Sequence, residues 1–300
     1  QLAEHGYAVA LQDWRQTQGA YDHDQWRPRF EATDGYDSIE WLAARPWCDG
    51  RVGMWGHSAM GQAVQAVMPL HPPALASVFI IDAGLDYGAY PTRQNGGFGQ
   101  AFQLRHTMLM AEALARDPVA KRTLRDAYLH PERYLAVFSR PQAPIVRGRS
   151  VLALSPEFEG RYLRTALTAN LDDPFWKDGG EAEADRLTRW KDIPVCMVTG
   201  WYANHMTANI TKFRYLAAHR DSPVELIIGH WDHHMDGSWA GAAEFGAEAD
   251  IDIFSTIRLE WFDRTLRAEA SAADAGAIRY FRMGGGTGRR DANGRLGGHR

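Results

Sequence analysis

Cysteine is scarce in this chain: Cys48 and Cys196 are the only two among 300 residues. They sit in unrelated segments, so neither a disulfide framework nor a zinc ribbon can be built from them, and both read as buried reduced thiols. A surplus of either charge is also lacking, with 33 Lys and Arg against 37 Asp and Glu and a formal net charge of −4. Nucleic acids and anionic membranes attract concentrated positive charge, so neither is expected as a partner. No apolar run approaches the roughly 20 residues of a membrane-spanning helix, and the start carries no signal-peptide pattern. Internal repeats and blocks of like charge are missing as well. What is present is a 45% share of hydrophobic residues, enough over 300 positions for a full core or two. These features describe a globular protein acting on something small or neutral. Both ends look internal. "QLAEHGYAVALQDW" opens as the end of a helix running into a strand, and "IRYFRMGGGTGRRDANGRLGGHR" closes as a strand followed by a glycine-rich loop. The chain is therefore expected to be a piece of a longer protein.

Short apolar or β-branched runs bounded by Gly, Asp or Pro predict strands at Tyr7–Gln12, Val52–Trp55, Ala76–Ile81, Pro194–Thr199 and Val224–Ile228. Helical stretches lie between them. Ala32–Ala44 carries Ile39, Leu42 and Ala43 on one side, and Ala59–Met68 follows a serine. Met206, Ile210, Phe213 and Ala217 recur at helical spacing, as do Ile251, Phe254, Ile257 and Trp261. Alternating strand and helix predicts a mostly parallel sheet covered on both faces. The alternation lapses between about Asn95 and Arg189, where "RHTMLMAEALARDPVAKRTLRDAYLHPERYLAVF" and "FEGRYLRTALTA" read as helices. An insertion of that size predicts a helical cap over the strand ends. "AEASAADAGA" reads as a small-residue linker, and "IRYFRMG" as the first strand of a different domain. The expected division is 1–94 and 191–268 for an α/β core, 95–190 for the cap, and 277–300 for the start of a further β domain.

One corner of this pattern invites chemistry. In "GRVGMWGHSAMG" a strand-like run ends at Gly56, and Ser58 stands before an alanine-rich helix. A nucleophile elbow needs small flanking residues, because the strand passes directly into the helix through a sharp turn that leaves the hydroxyl above the sheet. Gly56, Ala59 and Gly61 supply that room. The strict G-x-S-x-G form would place its second glycine at position 60, where Met60 stands. A bare serine after a strand is otherwise a helix N-cap. His57 flanks the serine, so its side chain is expected to point away from the hydroxyl and to pack or hydrogen-bond behind the sheet.

A base is available in "ELIIGHWDHHMDG", where a strand ends at Gly229 and His230, His233 and His234 follow. The order nucleophile, acid, base puts a catalytic histidine on this loop, and His233 or His234 fits. The competing uses are a metal cluster of His230, His233 or His234 with Asp236, and plain loop histidines. "MGGGTG" from Met283 to Gly288 lacks the lysine and following helix of a phosphate-binding loop and reads as a loop.

Taken in order, "GYAVALQDWR", "EATDGYDSIEWLAARPWCDGRVGMWGHSAMG", "IPVCMVTGWY", "GHWDHH" and "EFGAEADIDIFSTIRLEWFDRTL" resemble the cocaine-esterase and Xaa-Pro dipeptidyl-peptidase family of α/β-hydrolases. The resemblance covers most of residues 1–283 and is strongest at 34–61 and 193–262. The family's elbow reads G-x-S-Y-x-G, which accounts for the displaced glycine. The resemblance implies an α/β-hydrolase with a helical cap and a carboxy-terminal jelly roll of which only the first strand is present. It implies Ser58 as nucleophile toward an ester or amide carbonyl, and His233 as base in a G-P-W-x-H block where His230 replaces the proline. The Ala59 N–H would be an oxyanion donor worth about 3 kcal/mol at the transition state, the second donor being a tyrosine upstream of Gln1. Trp201 and Tyr202 would stand at the mouth of the site, either walling an acyl pocket or serving as core aromatics. Neither metal nor organic cofactor is needed. The implied partner is a small ester or a short peptide.

The family's acid stands in G-W-Y-D, but here Gly200, Trp201 and Tyr202 lead to Ala203, and Asn204 beside it carries no charge. Loss of a triad acid costs on the order of 10⁴ in turnover. Three explanations stand open. The acid has moved to the loop after Ala76–Ile81, as Asp82 ahead of Asp86; or the protein has lost activity and binds a ligand or serves as scaffold; or a dyad works with Asp232, Asp236 or a water, or residue 203 has been altered. Family members that cleave α-amino acid esters hold an ammonium group with clustered carboxylates, and Ala203, Asn204 and His205 do not supply them. The sequence thus predicts a serine hydrolase working through an acyl-enzyme.

Overall fold

The computed structural model describes residues 1–13, 31–84, 93–94, 97–130, 151–156, 158–160, 183–267, 277–283, 289, 292 and 296–297. The chain divides into two compact units, one of Gln1–Leu85 with Glu181–Arg300 and one of Asp86–Gly180. Asp86, the small-residue linker and the glycines of "MGGGTG" lie outside the described residues, as does most of "FEGRYLRTALTA".

The first unit is built on a five-stranded sheet. Helix α1 (Glu31–Ala43) precedes β1 (Val52–His57), helix α2 (Ala59–Val67) and β2 (Leu75–Ile81). The second unit intervenes in the chain with a two-residue hairpin, β3 (Arg93–Gln94) and β4 (Gly97–Phe98), then α3 (Gln100–Leu114) and α4 (Pro118–Leu129). Leu104, Met108, Leu124, Leu152 and Phe158 form its own apolar core, and Asp117 caps α4 by accepting from the Ala120 N–H. The chain then returns to the first unit with α5 (Glu183–Thr188), β5 (Val195–Gly200), α6 (Met206–His219) and β6 (Val224–Gly229). A small pair, β7 (Trp239–Ala240) and β8 (Ala243–Glu244), is followed by α7 (Arg258–Phe262), β9 (Ile278–Tyr280) and β10 (Leu296–Gly297).

The sheet order is β1-β2-β5-β6-β9, and every pairing is parallel. β2 and β5 are buried along almost their whole length, which is why they read as continuous apolar runs. Alternate residues serve opposite faces. Val78, Ile80, Val195, Met197 and Leu226 meet α1, α2 and α6 on one side. Phe79, Ile81, Cys196 and Val198 meet Trp231, Trp261 and Phe262 on the other.

The structure corrects four sequence expectations. Tyr7–Gln12 has no ladder partner among the described residues; β1 is the edge of the sheet, and Leu11 is 91% exposed. "IRYFRMG" does not stand apart from the sheet: β9 pairs with β6 as the fifth strand, with Phe281 N–H donating to the Ile228 carbonyl at 2.7 Å. α6 buries Ala208, Asn209, Lys212, Phe213 and Leu216 rather than the face through Met206, Ile210 and Ala217. Lys212 can be buried because its ammonium has polar partners, and a hydrophobicity pattern counts it as outward. The helix around Phe254 and Ile257 is wound as wider π turns, Ile253–Ile257 and Asp263–Arg267, on either side of α7. This shifts the buried set to Ile253, Arg258, Trp261, Phe262 and Thr265.

Candidate active site

Ser58 is the entire connection between β1 and α2. It holds φ 58° and ψ −121°, a conformation that a residue with a side chain keeps only under constraint. The glycines supply the constraint. A Cβ on Gly61 would stand 2.7 Å from the Ala83 Cβ and 3.0 Å from the Gly56 oxygen, and a Cβ on Gly56 would run into the Met60 backbone. The first turn of α2 therefore crosses directly over the end of β1, and the second glycine is needed at 61, where that turn meets Gly56 and Ala83. The Ser58 N–H donates to the Ile81 carbonyl at 2.9 Å, tying the elbow to β2. Its hydroxyl does not cap the helix.

That hydroxyl lies 2.9 Å from His233 Nε2. On the other side of the ring, His233 Nδ1 lies 2.5 Å from Asp82 Oδ2. Asp82 follows β2 directly, is fully buried, and has a positive φ of 37°. Its N–H donates to the Val198 carbonyl at 2.7 Å, and its Oδ1 accepts from the Thr199 hydroxyl at 2.8 Å. A carboxylate only accepts, so Nδ1 carries the imidazole proton and Nε2 presents a lone pair to the Ser58 O–H. The structure thus brings Ser58, His233 and Asp82 into one hydrogen-bonded line. Ala59, at the first position of α2, has an N–H that the helix itself leaves without a partner.

The other candidates lie elsewhere. Ala203 is packed with Trp231 and Met235 in the apolar cluster. Asp232 accepts from the exposed His234, through its N–H at 2.9 Å and its Nδ1 at 3.0 Å. His230 sits among Trp231, Phe245 and Phe281, with Nε2 donating to the Gly237 carbonyl at 3.0 Å. It therefore does not join His233 in a metal cluster. Asp82, His205 and His233 do present ligand atoms within 4.8 Å of one another. Two ligands sharing an ion at roughly 2.0–2.2 Å stand about 3 Å apart or more, so the 2.5 Å between Asp82 and His233 is the spacing of a hydrogen bond. Trp201 leans on the core, and its indole N–H donates to the Phe281 carbonyl at 2.7 Å; Tyr202 is exposed.

Sequence reasoning missed several neighbours. His57 does not lie behind the sheet: its Nε2 is 2.8 Å from the His233 carbonyl and its ring is 4.8 Å from that of His233. His205, which is 4% exposed, stands edge-on to His233 at 5.6 Å between centroids. Burial pushes the pKa of His57 below the ordinary value and that of His205 down to about 4, with the neighbouring His233 adding to both shifts. Beneath them the fully buried Lys212 donates to Gln65 Oε1 at 3.0 Å and to the Ala83 carbonyl at 2.7 Å. Gln65 in turn donates to the Gly84 carbonyl at 2.9 Å, so the backbone just after Asp82 is held twice. Of these, only the residue types His57 and His205 were visible in the sequence; their direction was not.

A parallel sheet with a serine on the strand–helix corner defines the α/β-hydrolase class. The profile of the X-Pro dipeptidyl-peptidase (S15) family matches residues 1–235, and the chain belongs to that family. It is 23% identical over 296 aligned residues to the cocaine esterase of Rhodococcus sp. (strain MB1 Bresler), an alignment taking in 93% of this chain and 48% of that protein. Two solved structures share the fold. One is an aminopeptidase from a marine sediment Thaumarchaeota archaeon (TM-score 0.56, 18% identity, 89% of this chain and 41% of that one). The other is an α-amino acid ester hydrolase (TM-score 0.57, 20% identity, 84% of this chain and 40% of that one). The chain thus spans less than half the length of these relatives.

Proposed function

We propose that this chain carries the catalytic centre of a serine hydrolase cleaving an ester or a peptide-like amide through an acyl-enzyme. The observation that carries the reading is the continuous line from Ser58 Oγ through His233 to the buried Asp82. In this reading His233 Nε2 takes the Ser58 proton as Oγ attacks the substrate carbonyl. The Ala59 N–H, with the positive end of α2 behind it, donates to the resulting oxyanion. His233 then returns the proton to the leaving oxygen or nitrogen, and acyl-Ser58 remains. Water, deprotonated by the same Nε2, attacks the acyl carbon and releases the acid and free Ser58. Asp82 keeps the proton on Nδ1 and stabilises the imidazolium formed in each half of the cycle. Of the pair Trp201 and Tyr202, the exposed Tyr202, two residues after β5, is the one free to meet a substrate in this reading.

A fluorophosphonate probe tests this directly. The expected result is one covalent adduct, mapped to Ser58 by peptide mass and lost in Ser58→Ala. A folded protein that takes up no probe supports a ligand-binding scaffold instead. Undiminished activity in the presence of a chelator separates this chemistry from a metal-dependent hydrolase.

A further inference from the structure

We propose that His57 and His205 are positioning residues that bracket the base, holding the His233 ring and the loop that carries it in line with Ser58 and Asp82. The proposal rests on the serine-hydrolase reading above. His57 is the last residue of β1, next to the nucleophile. A backbone carbonyl only accepts, so the 2.8 Å contact requires His57 Nε2–H to donate to the His233 oxygen. The bond joins the elbow bearing the nucleophile to the loop bearing the base, across 176 residues of sequence. Phe254, from the first π turn, backs the His57 ring edge-on at 5.6 Å. On the opposite flank His205 begins α6, its carbonyl accepting from both the N–H and the side-chain amide of Asn209 at 3.0 and 2.8 Å. Its ring meets that of His233 at 62° and approaches Asp82.

A bracket of this kind works only while both flanking rings are uncharged. The charged or titratable groups facing them are Asp82 after β2, Lys212 on α6 beside His205, His233 and His234 on the loop after β6, and, for His205, the His57 ring itself. The Lys212 ammonium and the imidazolium formed at His233 oppose a second positive charge, and burial acts in the same direction. Protonating either flank would place like charge beside the reacting imidazole and draw Asp82 away from it.

The test follows Ser58 labelling by a fluorophosphonate from about pH 4 to about pH 8 in the full chain, alongside the low-field proton resonance of the Asp82–His233 bond. His57→Phe keeps a ring and loses the donor; His57→Gln keeps a donor; His205→Ala removes the second flank. Expected for His57→Phe and His205→Ala is labelling slower by about tenfold to a hundredfold at the plateau, with a broadened or shifted resonance. The Gln variant should recover most of the His57 loss. The acid limb of the native rate should steepen beyond a single proton, and should flatten toward one proton when a flank is removed. Native rates, limb and resonance in folded variants would overturn the proposal. Should His57→Phe fail to fold, His57→Asn, polar but too short to reach the carbonyl, takes its place. A native protein that does not label sinks the serine-hydrolase reading, and the resonance alone then decides the bracket: altered in the variants it stands, unchanged it falls.

Discussion

At the scale of single residues, the chemistry turns on where a carboxylate meets His233. Asp82 and Ala203 come after neighbouring strands, β2 and β5, and Asp82 is the one that meets the imidazole. Asp82 occupies that place with no exposed surface and with both carboxylate oxygens engaged, by Thr199 and by His233. Asp82→Asn should leave the fold intact and slow acylation of Ser58 by about 10⁴, because the amide can donate to Nδ1 and favour the wrong tautomer; rapid-mixing rates with an activated ester measure this. Placing a carboxylate at Ala203 should not help. The position is 9% exposed among Trp231 and Met235, and the His233 proton is already taken. Ala203→Asp should cost about 1–3 kcal/mol in urea unfolding and bring no gain in rate.

At the scale of elements, the elbow and the Asp82 turn are one assembly, since Gly61 on α2 faces Ala83 after β2. Gly61→Ala would set a Cβ 2.7 Å from the Ala83 Cβ and 3.0 Å from the Gly56 oxygen. The helix would have to lift from both strands at a cost of about 1–3 kcal/mol, and the melting temperature and the Ser58 labelling rate should fall together. Lys212→Met should uncouple the two. It leaves the Ala83 carbonyl and Gln65 Oε1 short of a donor in a buried place, so rate should suffer through a loosened Asp82 more than an apolar core substitution of equal cost would imply. The same assembly shows what the sequence could and could not reveal. β2 and β5 were legible to within a residue because strands buried on both faces read as apolar runs, and β1 and β6 to within two because short apolar stretches there end at glycine. The corner at Ser58 and the histidine at 233 that meets it could be singled out because an elbow and a post-strand histidine have local marks. Among Asp82, Asp86, Asp232 and Asp236 no local mark favours the one that meets His233, since that depends on which strands are adjacent in space. Lys212 was hidden because hydrophobic periodicity treats every lysine as outward, and three-residue β9 carries too little pattern to reveal its partner β6.

For the whole molecule, the buried imidazoles tie stability to pH. His57, His205 and His230 all have pKa values lowered by burial, and in the unfolded chain each returns toward about 6.5. Below that value the unfolded chain binds protons that the folded one refuses, so stability is fully present above it and is lost as pH falls. For His205, with its folded value near 4, the loss reaches on the order of 3 kcal/mol by about pH 4. At the alkaline end the sign reverses. Burial, together with the bond to Asp263, raises the Tyr7 pKa, so the unfolded phenol ionises first and stability falls as pH rises past about 10. Burial raises the Cys196 thiol in the same way, so denaturant midpoints should be level near neutrality, drop between about pH 6.5 and about pH 4, and drop again above about pH 9. His205→Phe should make the acid side alone shallower, because it removes a proton that only the unfolded state takes up while His57 and His230 remain, and Tyr7→Phe should make the alkaline side alone shallower, Cys196 remaining. An acid limb unchanged in His205→Phe would mean that this ring charges as readily inside the fold as outside it, and the burial that keeps it neutral beside Asp82 and His233 would have to be abandoned.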